Sequence, residues 1–180
     1  MSDLRAVASI ILGLRQTQVA LAVGVLLLAP LSAYAARRVG WSAHRILAAA
    51  AAGMGVALVL ATTLGRYRDG LMFGLGRSCL RTSVGLGTPE QQLNLALFAP
   101  ATFFAVVATR RLRLVLVSAL LLSLGVEGIQ LVTDLGACQT SDVALNLAGA
   151  VAVAVPARLL VAVALRRTQE PSRQTATTRR

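Results

Sequence analysis

The sequence predicts an all-α polytopic transmembrane helix bundle of about five spans, with the N-terminus outside and the C-terminus cytoplasmic. Three observations predict it. Of the 180 residues, 56% are hydrophobic and only 14% charged, with a mean hydropathy of +0.71, far from the charged, mixed surface that keeps a soluble domain in water. The apolar residues gather in runs close to the roughly 20 residues that a helix needs to cross a hydrocarbon core. The arginines, finally, are segregated between alternate connections, as the loops of a membrane protein are.

Taken in order, residues 16–36 are uncharged and bounded by Arg15 and Arg37. Ala33, Tyr34 and Ala35 imitate a signal-peptide cleavage site, but the run is long for an h-region and Arg37 and Arg38 follow at once, so it reads as a retained span. Residues 46–65 form the second span, between Arg45 and Arg66, and its small residues Ala49, Gly53 and Ala57 suit close helix packing. The segment 66–90 carries several glycines around Leu71, Met72 and Phe73 and suits a membrane surface. Residues 91–109 form the third span, between Glu90 and Arg110. The fourth, 114–133, and the fifth, 143–165, each carry one internal charge, Glu127 and Arg158. Arg158 is within snorkelling reach of the headgroups. The bundle is thus expected over 1–167. Residues 168–180, rich in Thr, Gln and Arg, read as a disordered basic cytoplasmic tail.

Alternation of five spans places Arg37, Arg38, Arg45, Arg110, Arg111, Arg113, Arg166, Arg167, Arg173, Arg179 and Arg180 on one side. The other side holds Arg5, Arg15, Arg66, Arg68, Arg77 and Arg81. The richer side is expected to be cytoplasmic. All 18 basic residues are Arg, against 7 acids. In a soluble chain that balance would suggest nucleic acid, but here orientation and anionic lipid account for it, and no nucleic-acid partner is expected. Two Cys and one His, His44 on the cytoplasmic side, exclude a disulfide-rich miniprotein or a zinc finger.

Ionisable and amide side chains inside spans are costly and mark candidate sites. Ser123, Glu127, Gln130 and Asp134 share one face of the fourth helix, and Asp142, Asn146 and Gly149 one face of the fifth. Asn94, with Phe98 and Pro100 beyond it, lies near the outer end of the third. At about 1.5 Å per residue, Asn94, Glu127 and Asn146 all fall in the outer leaflet, so the expected site is one polar pocket of Asn94, Glu127, Gln130, Asp142 and Asn146. Plain structural roles compete with this: Asn94 and Asn146 as interhelical hydrogen-bond partners, Asp142 as a helix-start residue after Thr140 and Ser141, Gln130 as the partner of Glu127. Glu127 resists such a reading most, because a carboxyl below the interface must be protonated or paired. The same topology places Cys79 and Cys138 in outer loops, where an oxidising space favours a disulfide holding the long loop over the pocket.

The arrangement Asn94 xxx Phe98 x Pro100, then Glu127 xx Gln130, then Asp142 xxx Asn146 xx Gly149 resembles the VanZ-like family over about residues 88–155. Thr102 departs from the pattern, in which Gly commonly follows the motif proline by two. The resemblance implies a small bacterial polytopic protein of the cell envelope, multi-pass in the cell membrane. Founding members of that family are associated with low-level resistance to the glycopeptide teicoplanin.

Two functions follow as expectations. In the first, the pocket binds a lipid headgroup or lipid-linked envelope precursor without catalysis, its Asn and Gln meeting hydroxyls or phosphate and Arg77 or Arg81 pairing with phosphate. In the second, Glu127 and Asp142 act as acid and base on a lipid-linked substrate. The sequence favours the first, since it offers no metal-ligand cluster, no cofactor motif and no nucleophile with a base. A proton-coupled transporter is disfavoured by the lack of internal repeats.

Overall fold

The computed structural model describes residues 2–64, 79, 84–133 and 138–177. These form α1 (Ser2–Gly13), α2 (Arg15–Arg38), α3 (Ala43–Leu64), α4 (Pro89–Leu97), α5 (Ala99–Thr109), α6 (Leu112–Thr133) and α7 (Thr140–Thr177). Five segments are long and apolar enough to cross a membrane: α2, α3, α4 with α5, α6, and α7 to Arg166. They match the five spans expected from the uncharged runs to within a few residues.

The third span is two helices because of its proline. Pro100 has no N–H and its ring crowds the carbonyl four residues back, so the chain steps at Phe98 and restarts. Thr102 secures the restart: its backbone N–H and its Oγ1 both donate to the Phe98 carbonyl, at 3.0 and 2.8 Å. Its hydroxyl is spent inside its own helix, so threonine in place of glycine leaves no buried polar group dangling. The start of α4 is fixed by a capping box, with Thr88 Oγ1 accepting from the Gln91 backbone and the Gln91 side chain accepting from the Thr88 N–H.

Helix α2 lies on α3, α3 on α5, and α7 between α4 with α5 on one side and α6 on the other. Small residues set the closest approaches. A Cβ added at Gly53 would stand 2.5 Å from the Leu28 carbonyl oxygen, and one at Gly55 would stand 2.6 Å from Ala101 Cα. Without a hydrophobic force between helices in lipid, such backbone contact is what packing rests on. Val59, Phe98, Ala119 and Ala150 form one core cluster at the step in the third span. Deeper, Val106, Val115, Ala154 and Ala157 form another. Large apolar side chains point outward instead, among them Leu26, Leu27, Leu31, Leu121, Leu159 and Leu160. In water this surface would aggregate, whereas in a bilayer it meets acyl chains.

The end opposite the polar residues is pinned by Arg45. Its Nε donates to the Ala108 carbonyl at 2.7 Å, supplying one of the carbonyls that the end of α5 leaves unpaired. Its guanidinium also lies 4.3 Å from the centroid of the Trp41 ring. Arg110, at φ 60°, then turns the chain into α6.

Two features depart from the sequence reading. Helix α1, too short and too charged to register as a span, packs against α4 and α2 with Ile11 buried. Helix α7 runs on to Thr177, where the sequence predicts a disordered tail. Extending an existing helix costs far less than nucleating one.

Candidate functional site

The polar residues meet where α3 and α6 end and α4 and α7 begin. The four-residue interval on α6 puts Ser123 and Glu127 one turn apart, with Gln130 a further turn toward the helix end. On α7, Asp142 opens the helix and Asn146 lies one turn inside it.

Hydrogen bonds among the described residues join these elements. Asn146 Nδ2 donates to Ser123 Oγ at 3.0 Å, tying α7 to α6. Gln130 Nε2 donates to the Thr63 carbonyl at 3.1 Å, tying α6 to the end of α3. The backbone N–H of Gln139 donates to Glu127 Oε2 at 2.8 Å, which fixes the chain just before α7. Glu127 is 7% exposed, Gln130 8% and Asn146 3%, so the bonds of the two amides lie inside the protein and that of Glu127 is partly buried. Asp142 is half-buried, accepts from Ser141 Oγ at 3.2 Å and lies within electrostatic range of Glu127.

Both amides use their nitrogen inward. Their oxygens, Gln130 Oε1 and Asn146 Oδ1, are buried without a hydrogen-bond partner among the described residues. Such atoms are rare in folded proteins, because each forfeits its hydration for nothing.

Asn94 is buried on α4, and the helix containing it is pressed onto α7 at Gly149. A Cβ at Gly149 would run into the Leu95 backbone carbonyl. Gly149 is one turn from Asn146, so this approach brings the Asn94 region of α4 alongside the same face of α7. Phe98 is 1% exposed in the core below, and Pro100 makes the step. A disulfide joins Cys79 to Cys138, the residue before Gln139, with Cα atoms 4.7 Å apart, inside the usual range of about 4.4–6.8 Å. Arg77, Arg81 and Asp134, singled out from the sequence, lie outside the described residues. Among those described, no group of three or more His, Cys, Asp and Glu could hold a metal ion.

A family model described as VanZ/LLP1 matches residues 57–161. The chain belongs to the VanZ/LLP1 family. The matched interval is wider than the motif-bearing stretch, and takes in the last third of α3 with Thr62 and Thr63 as well as α7 as far as Val161. In VanZ/LLP1 terms, therefore, every residue named above in the polar cluster lies inside the match, while α1 and α2 lie outside it. No curated protein and no solved structure matches the chain.

Sequence reasoning missed the partners that are backbone groups: the Thr63 carbonyl, the Gln139 N–H and the Leu95 carbonyl. No side-chain pattern announces these. The Asn146 to Ser123 bond can be measured directly. In a double-mutant cycle of Ser123→Ala and Asn146→Ala, unfolded reversibly in mixed micelles, we expect a coupling of about 0.6 kcal/mol. A coupling within error of zero would show that the two side chains do not support one another.

Proposed function

We propose that this VanZ/LLP1 protein is a multi-pass cell-membrane protein of the bacterial envelope whose polar cluster binds the headgroup of a membrane lipid or lipid-linked envelope precursor. The cluster faces the extracytoplasmic side, as the segregation of arginines to the opposite end favours. The single observation that supports the reading is the pair of buried amide oxygens, on the helices that carry Glu127 and Asp142, without partners among the described residues. A bundle that needed its polar residues only for packing would gain by pairing them all. Family association with glycopeptide resistance fits a role near envelope precursors, and we extend it to this chain as part of the proposal.

Native mass spectrometry of the full chain, released from detergent after purification from a bacterial membrane, tests this. We expect co-purified lipid on the wild type and about tenfold less on Glu127→Ala, the loss expected when one charge-assisted contact is removed. Equal lipid on both proteins overturns the proposal. Turnover of the captured lipid, abolished by Glu127→Gln, would replace binding with acid and base chemistry at Glu127 and Asp142.

A further inference from the structure

The end of the bundle opposite the polar cluster, where α2 turns into α3 and α5 into α6, holds a guanidinium that is fixed in place and only partly used. Arg45 is half-buried at the start of α3. Its Nε donates to the Ala108 carbonyl at 2.7 Å, and its guanidinium carbon lies over the Trp41 ring, 4.3 Å from the centroid. One edge and one face are thus occupied. The terminal nitrogens Nη1 and Nη2 make no hydrogen bond among the described residues. They form a pair with which an arginine grips two oxygens of one phosphate.

A second arginine is held beside the first. Arg110 follows the bonded carbonyl by two residues, is half-buried and lies within electrostatic range of Arg45. Its backbone is fixed on both sides: its N–H donates to the Val106 carbonyl at 2.8 Å, and the next N–H, of Arg111, donates to Thr109 Oγ1 at 3.2 Å. With φ at 60°, Arg110 takes the left-handed position that glycine or asparagine usually fills at a helix end. One arginine suffices to meet the open carbonyl of α5. Two repel each other, and an anion taken up at Arg45 relieves that repulsion.

We infer that Arg45, with Arg110 adding its charge, binds the phosphate of a net-anionic phospholipid in the leaflet at this end of the bundle. The surroundings suit an anion that belongs to a lipid. Trp41 is a side chain of the kind that sits at headgroup depth, and Val39 and Leu114, on the turn before α3 and the first turn of α6, are exposed apolar residues that acyl chains would cover. The site is separate from the polar cluster and stands or falls without it. It asks for one phosphate on one guanidinium. The side chain of Glu170 lies outside the described residues, so the test removes it as a rival counter-ion.

Trp41 is the one tryptophan of the sequence, so its fluorescence reports on this site alone. The full chain is reconstituted in dioleoyl phosphatidylcholine vesicles with increasing fractions of dibrominated phosphatidylglycerol or, in parallel, dibrominated phosphatidylcholine, whose bromines quench a tryptophan on contact. Phosphatidylglycerol should quench with about tenfold greater apparent affinity, since each arginine near a membrane surface is worth about fivefold. Arg110→Gln leaves the Arg45 contacts in place and should remove about fivefold of that preference. Arg45→Lys keeps the charge but loses the fork, and should lower the preference too. Arg37→Gln is the control. Arg37 is exposed at the same end and four residues from Trp41, and its loss should cost under about twofold, because a solvated charge is screened.

Equal quenching by the two lipids on the wild type overturns the assignment, and that measurement depends on no variant folding. Equal losses in Arg37→Gln and Arg110→Gln would reduce the preference to the diffuse field of a basic surface and remove the site. An undiminished preference in Arg45→Lys would remove the grip of the Arg45 fork on phosphate. A preference seen only in Glu170→Gln would mean that a carboxylate occupies Arg45 in the wild type, and overturns the assignment. Inorganic phosphate, added at constant ionic strength, should leave the preference unchanged; if it abolishes the preference, the bound phosphate is a soluble one and the lipid assignment falls.

Discussion

Replacing Gly149 with alanine should destabilise the protein by about 2–3 kcal/mol, the upper part of the overpacking range, and lower its melting temperature by roughly 5–10 °C. The added methyl has nowhere to go. It would meet the backbone carbonyl of Leu95, which no side-chain rotation can withdraw, so α4 must move off α7. Lipid capture should fall with stability, since Asn94 moves with α4 and Asn146 is one turn from the substitution. Gly125→Ala is the control. It lies in α6, and nothing stands within 4 Å of where its Cβ would be. There the gain in helix propensity, up to about 1 kcal/mol, should leave the protein as stable as before or more so. Thermal unfolding followed by fluorescence-detected gel filtration measures both. Equal melting temperatures for the two variants would mean that α4 and α7 do not touch at Gly149.

The second large effect belongs to the Cys79 to Cys138 bridge. It closes a loop of sequence separation 59, for which chain entropy gives a stabilisation of about 4 kcal/mol in a free chain. In a bilayer the spans between the two cysteines stay inserted after unfolding, which already restrains the loop, so we expect the double substitution Cys79→Ser, Cys138→Ser to cost about 2–3 kcal/mol. The effect should also reach the site, because Cys138 precedes the residue whose N–H holds Glu127. Melting with and without reductant is the measurement. Reductant should lower the wild-type transition to that of the double variant and leave the variant unmoved. An unchanged wild-type transition, with the thiols shown to be free by alkylation, would remove the bridge from the account of stability.

Much of the fold was legible because a bilayer imposes a coarse rule. Apolar runs with at most one charge can be counted, and the counts mark α2, α3, α6 and the start of α7 to within a turn. The same rule cannot see α1, which obeys packing on α4 instead of spanning length. Nor does it register the step at Phe98, since Pro100 leaves hydropathy untouched while removing a backbone donor. At the site, Glu127, Gln130 and Asn146 were legible as costly residues on shared helix faces, and the structure brings them to one end of the bundle. Which way their amides point was not. That depends on Thr63 and Ser123 happening to stand on the inner side, and so on how α3, α6 and α7 are rotated about their axes. For α3 and α7 that rotation brings Gly55 against Ala101 and Gly149 against Leu95, close contacts whose partners are backbone atoms.

Division of the third span at Phe98 has a mechanical consequence. Helix α5 is clamped at its far end, where Arg45 grips the Ala108 carbonyl, but α4 is a separate lever of nine residues hinged at the step. At about 1.5 Å per residue, ten degrees of swing at the hinge carries the lever tip roughly 2 Å, close to the whole tolerance of a hydrogen bond. Substitutions beneath Phe98, far from any headgroup, would thus be felt most at the mouth of the bundle.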